Sequence, residues 1–195
     1  MTMGRPAEFD RDRVLDAAVR LFWRKGYEAT SLTDLLKTMG LSKSSLYQAF
    51  GSKHELFESC ITRYRDTLVA DMQAALDSAE SAHRFIEQVF YDVAAETKSN
   101  VTRRGCLVMN TASEFSQRDP TIARRVSAST RAFSKVFATA VRQAQSDGDI
   151  PADRDPAVLA SYLVSSMTGL RTMVKAGASK RKVRDIAKVI LMALD

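Results

Sequence analysis

Thr30-Ser31-Leu32-Thr33-Asp34-Leu35-Leu36-Lys37-Thr38-Met39-Gly40-Leu41-Ser42-Lys43-Ser44-Ser45-Leu46-Tyr47-Gln48-Ala49-Phe50 is the stretch on which the fold turns. Thr30 or Ser31 caps a short helix whose apolar residues Leu32, Leu35, Leu36 and Met39 recur at helical spacing. Gly40 ends it, because a residue without a Cβ takes the left-handed conformation that closes a helix without steric cost. Leu41 then plugs the angle between two helices, and Ser42 caps a second one running to about Phe50. Within it Leu46 and Phe50, four apart, face inward. Lys43, Ser44, Tyr47 and Gln48 are left outward, all hydrogen-bond formers. Two short helices about a tight glycine turn form a helix-turn-helix, which sets its second helix in a major groove. The outward side chains suit phosphates and base edges.

Outward from this stretch, nearly everything else reads as helix. From about Asp10 to Lys25, Val14, Ala18, Leu21 and Phe22 share one face, and Gly26 closes the helix. Gly51-Ser52 breaks the chain before a long helix from about Lys53 to Asp77, with Leu56, Phe57, Cys60, Ile61, Tyr64 and Leu68 on one face. Further helices are expected over about 82–99, 106–115, 120–146, 156–176 and 179–193, with residues 147–153 as the clearest loop. No strand alternation or repeat interrupts them. The class is all-α, with about nine helices. A three-helix helix-turn-helix domain is expected over residues 1–55 and a C-terminal helical domain over 56–195, for which a family resemblance carried by the N-terminal stretch implies sensing and dimerisation.

The formal net charge of +6 is a poor guide, since residues 98–145 carry +7 and the helix-turn-helix segment 1–55 only +2. No window approaches the ~20 apolar residues that span a bilayer, and the N-terminus lacks the apolar core of a signal peptide. A cytoplasmic protein without membrane contact is expected. Cys60 and Cys106 are too few and too far apart for a disulfide framework or a zinc site. With only His54 and His83, no metal cluster, no phosphate-cradling glycine loop and no nucleophile beside an evident base, an enzyme is disfavoured. No cofactor, metal or catalytic residue is expected.

The whole of Thr30 to Phe50, continued by Gly51-Ser52-Lys53-His54-Glu55-Leu56, resembles the DNA-binding signature of the TetR/AcrR family of regulators. The preceding Leu21-Phe22-Trp23-Arg24-Lys25-Gly26-Tyr27 is similar to that family's first helix and its glycine-aromatic exit. The resemblance implies a double-stranded, palindromic operator as partner. It implies that Thr30 and Ser31 offer hydroxyls and amides to phosphate at a helix N-terminus, and that Tyr47 and Lys53 each contact a phosphate. Lys43, Ser44, Ser45 and Gln48 become candidates for base edges or nearby phosphates, and Gln48 has the groups to pair with adenine. Arg5, in a basic arm, is a candidate for the backbone or minor groove. Ala49 departs from the many members that carry histidine there, so that contact is missing.

Palindromes are read by two-fold dimers, and the resemblance implies that the last two helices pack against their copies. Leu159, Tyr162, Leu163, Ser166, Met167 and Leu170 mark one apolar stripe, and Val183, Ile186, Val189 and Ile190 another. Part of these stripes must also fill the monomer core. Repression is the expected sign of regulation, with a small-molecule or reactive effector as the releasing signal.

Arg103-Arg104-Gly105-Cys106-Leu107-Val108-Met109-Asn110 resembles a Gly-Cys-Leu signature of one branch of the family, some of whose members answer electrophiles or oxidants through a cysteine. Helix N-termini and arginines lower a thiol's pKa, so Cys106 is a candidate switch, with Lys175 expected to add positive charge nearby. Two other readings stand beside it. Cys106 is a small buried hydrophobe, or a reversible ligand occupies an apolar pocket lined by Phe90, Met109, Phe115, Phe133, Phe137 and Met167. Cys60, inside an apolar stripe, reads as structural.

Overall fold

The computed structural model describes residues 9–98, 104–115 and 118–195. Among the described residues there are nine α-helices and no strand: α1 (Arg11–Lys25), α2 (Leu32–Met39), α3 (Lys43–Phe50), α4 (Lys53–Ser78), α5 (Ala82–Ala95), α6 (Leu107–Phe115), α7 (Pro120–Ser146), α8 (Pro156–Lys175) and α9 (Lys180–Leu191). Their starts are written in the sequence. Asp10, Ser31, Ser42, Ser52, Ser81, Asp119, Asp155 and Ser179 each accept a backbone N–H of the first turn that follows. Such a cap supplies a partner that the helix itself cannot, and is worth about 1 kcal/mol.

Three helices differ at an end from expectation, α9 among them, which stops at Leu191 before a 3₁₀ turn at Met192–Leu194. α5 stops at Ala95, and Glu96–Lys98 tightens into a 3₁₀ turn instead of continuing the helix. Cys106 stands one residue ahead of α6, its carbonyl accepting the N–H of Asn110 as a helix cap does. Ser99, Arg103 and Arg5 lie outside the described residues.

α1 packs on α2 and on α4, and α3 packs on α4, which continues into the C-terminal bundle and lies against α6 and α7. α7 packs on α8 and α5, and α9 packs on α5 and α8. Phe22 and Phe57 meet edge to face at 4.9 Å under the N-terminal helices. Phe90 and Phe137 lie 6.4 Å apart in the bundle, both fully buried. Between these clusters, Phe115 of α6 packs on Tyr27 at 5.1 Å and on Phe57 at 5.7 Å. Removing that ring would cost about 3–5 kcal/mol by the usual arithmetic of a buried Phe→Ala. Both ends of the molecule therefore share one apolar junction.

Candidate nucleic-acid interface and sensing cavities

Ser31 caps α2 through a reciprocal box: its Oγ accepts the N–H of Asp34, whose carboxylate accepts the Ser31 N–H. The same carboxylate accepts from Lys25 Nζ at 3.0 Å, tying α1 to α2. The Lys25 and then the Ser31 hydrogen bonds hold the Asp34 carboxyl down at about 2. Gly40 sits at φ +66°, the left-handed position the turn requires. Ser42 caps α3, and Leu46 and Phe50 are buried beneath it. The spacing of these two residues thus fixes which face of α3 looks out.

That outward face carries Lys43, Ser44, Tyr47 and Gln48, all exposed, with Tyr47 at 42 %. Ser45 is half-buried and its Oγ lies 2.8 Å from Ser42 Oγ, so it belongs to the cap. Thr30 is fully buried, and its hydroxyl donates to the Gly26 carbonyl at 2.6 Å. That hydroxyl is committed to holding the turn after α1, and Ser31 is the exposed member of the pair. Lys53, in the first turn of α4, stacks its ammonium 4.2 Å over the Tyr27 ring. The stacking fixes the side chain at the edge of the junction.

Tyr27 is in turn held from the other side. Glu114 of α6 accepts the N–H of Tyr27 at 3.4 Å and of Glu28 at 3.0 Å. Trp23 Nε1 donates to the Gly105 carbonyl at 3.0 Å. His54 Nε2 lies 2.6 Å from Asp119 Oδ2, and its Nδ1 3.2 Å from Glu58. These contacts of Glu114, Trp23 and Asp119 have no mark in the sequence. Nothing in a linear pattern joins residues 65 to 87 positions apart.

On the sensing side, Cys106 is buried. Tyr64 Oη donates toward its Sγ at 3.8 Å, and Arg104, two residues before it, places its guanidinium 5.8 Å from the Trp23 ring centre. Lys175 Nζ donates to Asn110 Oδ1 at 3.0 Å. Burial first, then the neighbouring Cys106, pushes the Tyr64 hydroxyl's pKa up, so it stays a proton donor. Cys60 is fully buried and burial pushes its thiol up, which leaves it unreactive.

The expected pocket residues do not form one pocket. A cleft of about 840 Å³ between the end of α1, α6 and α8 is lined by Cys106, Met109 and Lys175. Met109, Phe133, Met167 and Cys106 also enclose a void of only about 20 Å³. Phe90, Phe115 and Phe137 are core packing. A separate cavity of about 410 Å³ opens between α1, α4 and α8, with Arg171 and Glu96 in its wall.

Along α8 and α9, Leu159, Leu163, Met167, Leu170, Val183 and Ile190 are buried within the chain itself. Ser166 and Ile186 are half-buried. Val158 at 64 %, Tyr162 at 36 %, Val189 at 65 % and Met192 at 66 % are the apolar side chains this end leaves outward. Val158 and Met192 were not anticipated from the stripes, because periodicity picks out the side of a helix that packs, not the residue beside it. Among the described residues no group of three acidic, cysteine or histidine side chains could hold a metal, and no helix is long and apolar enough to cross a membrane.

The family model described as "Bacterial regulatory proteins, tetR family" matches residues 14–60, and "Tetracyclin repressor-like, C-terminal domain" matches residues 81–190. The chain is 34% identical over 189 residues to the HTH-type transcriptional repressor ComR of Escherichia coli K12, spanning 96% of this chain and 90% of ComR. It is 31% identical over 194 residues to the HTH-type transcriptional regulator YezE of Bacillus subtilis 168, covering 99% and 100%. Among solved structures, it is similar to a cysteine mutant of the TetR family transcriptional regulator CifR complexed with 26-bp double-strand operator DNA. That likeness has a TM-score of 0.82 and 30% identity, over 98% of this chain and 100% of the other.

Proposed function

Because the chain belongs to the tetR family of bacterial regulatory proteins, we propose that it is a homodimeric cytoplasmic repressor whose α3 reads an operator and whose C-terminal bundle answers a signal. It is a DNA-binding transcriptional regulator and not an enzyme, as its relatives are. The observation that carries the reading is the outward face of α3: Lys43, Ser44, Tyr47 and Gln48 exposed over buried Leu46 and Phe50. Ser31 and Lys53 flank that face at the starts of α2 and α4, where phosphates are bound. The CifR relative was solved on operator DNA, which supports the same role here.

The domain boundary falls within the start of α4, at about residue 55, with residues 56–195 as the sensing unit. Two copies joined through the outward side of α8 and α9 would place two recognition helices ~34 Å apart, one turn of DNA. Val158, Tyr162, Val189 and Met192 supply the apolar contact. The signal reaches α3 through the junction. Glu114 and Phe115 hold Tyr27, and Tyr27 holds Lys53, so a shift of α6 displaces a phosphate contact directly.

Cys106 is the proposed trigger for a reactive effector, since a thiol beside the Tyr64 hydroxyl and opening onto a cleft is placed to be modified. Selecting bound fragments from a random duplex library tests the main reading. An enriched inverted repeat with half-sites about one turn apart is expected. Enrichment without two-fold symmetry, or none, would remove it.

A further inference from the structure

The cavity between α1, α4 and α8 contains a charged group with an unfilled bond. Arg171 projects from α8 into its wall, and Nη2 donates to Glu96 Oε1 at 3.2 Å. Its Nε is buried and has no hydrogen-bond partner among the described residues. A guanidinium offers Nε and Nη2 as a parallel fork that a carboxylate fills with two oxygens. One tine is bare, and the other is engaged singly by Glu96. Burial disfavours the charge of Glu96, pushing its carboxyl up, although Arg171 works against this. The arginine stays charged because Glu96, with Tyr64 and Cys106 nearby, outweighs its own desolvation.

The rest of the wall is mixed, with Arg20, Thr67 and Asp71 among its polar side chains. Val19, Trp23 and Leu68 face the cavity. The Trp23 N–H is taken by Gly105, so the indole presents only its ring. Asp16 and Arg63, at the rim, satisfy each other at 2.9 Å. The space of about 410 Å³ is that of a small organic molecule.

We propose that this cavity binds a small carboxylic acid with a compact apolar body, its carboxylate on Nε and Nη2 of Arg171 and its body against Trp23. The ligand is the reversible effector, an inference that rests on the regulator reading above. The site is separate from the cleft onto which Cys106 and Lys175 open. Because Val19 and Trp23 belong to α1, the ligand touches the DNA-binding unit and the bundle at once, and its binding changes how they meet.

Trp23 is the chain's one tryptophan and lines both this cavity and the Cys106 cleft, so its fluorescence reports binding and Arg171→Gln assigns the signal to this cavity. Cyclohexanecarboxylate, which does not absorb at the exciting wavelength, is titrated against cyclohexanecarboxamide of the same shape. A saturable change with the acid, and binding weaker by about tenfold or more with the amide, is expected. Glu96→Gln keeps Arg171 and removes its competitor, and should tighten the acid by about threefold or more. Arg171→Gln should lose the preference for acid over amide. Equal binding of acid and amide, no binding of either, or an unchanged affinity in Glu96→Gln overturns the proposal. Operator binding without the acid is measured alongside. If it persists while the acid fails to bind, only the effector assignment falls; if it is absent, the regulator reading itself falls.

Discussion

Glu114 accepts the backbone N–H of Glu28 at 3.0 Å, across 86 positions of sequence, and so fastens the helix after Cys106 to the turn before α2. A second bond runs to the N–H of Tyr27, which also carries the Lys53 stack. Glu114→Ala should cost roughly 1 kcal/mol, since hydrogen bonds to a partly exposed carboxylate are discounted by solvent. Operator affinity should fall, and release by effector should weaken with it. Urea unfolding and operator titration of Glu114→Ala beside Ser113→Ala, an exposed neighbour, measure this. Equal behaviour of the two would show that the α6 contact carries no signal.

The outward residues of α8 and α9 make a second test. Val189 is 65 % exposed in the single chain, so Val189→Arg should leave the monomer's fold intact. Placing a charge in an apolar interface should break the pair. Sedimentation would then show monomer at concentrations where the parent is dimeric, with operator affinity reduced by about a hundredfold or more. A dimeric Val189→Arg would put the interface elsewhere.

Cys106 is tested by chemistry. Operator affinity of the parent and of Cys106→Ser is compared before and after hypochlorite or a quinone. Release of the parent alone is expected. Equal release of both would make Cys106 a wall of the cleft and nothing more. Cys60, buried and with its thiol pushed up, should stay unmodified under the same treatment.

The Asp34 carboxyl predicts an acid limb. Its pKa in the folded chain, about 2, lies below the ordinary 3.8, through the Lys25 and Ser31 hydrogen bonds. A depressed carboxylate contributes stability that is fully present above its unfolded value and is lost as pH falls through the folded one. The parent should therefore lose stability between about pH 4 and pH 2 in a way that Asp34→Asn does not, the two converging at the acid end. Thermal midpoints measured across that range would reveal it. Parallel curves would mean the Lys25–Asp34 tie contributes nothing.

How far the sequence carried these conclusions depends on distance along the chain. The helix-turn-helix was legible because each part is local: the caps Ser31 and Ser42, the glycine at φ +66°, and Leu46 four residues before Phe50. Helix ends blurred where the backbone tightened, as at Glu96–Lys98, since a 3₁₀ turn leaves no compositional mark. Contacts between distant residues were not legible. Glu96 and Arg171 are 75 positions apart and both look like ordinary surface charges. Thr30 misled for the opposite reason: a hydroxyl beside a helix start suits phosphate, but this one faces the Gly26 carbonyl. Of the stripes on α8 and α9, Tyr162 and Val189 stay outward while most of the others fill the chain's own core, and Val158 and Met192 lie beside the stripes.

The central claim is that the outward face of α3, with the start of α4, holds DNA phosphates and bases. It is tested most directly by the salt dependence of operator binding in the parent, Lys53→Ala and Tyr47→Phe. Each lysine–phosphate contact contributes about one unit to the slope of log affinity against log salt. The account predicts that Lys53→Ala binds more weakly with a slope shallower by about one unit. Tyr47→Phe should weaken binding with its slope unchanged, both proteins remaining folded. Affinities and slopes indistinguishable from the parent's in both variants would contradict it.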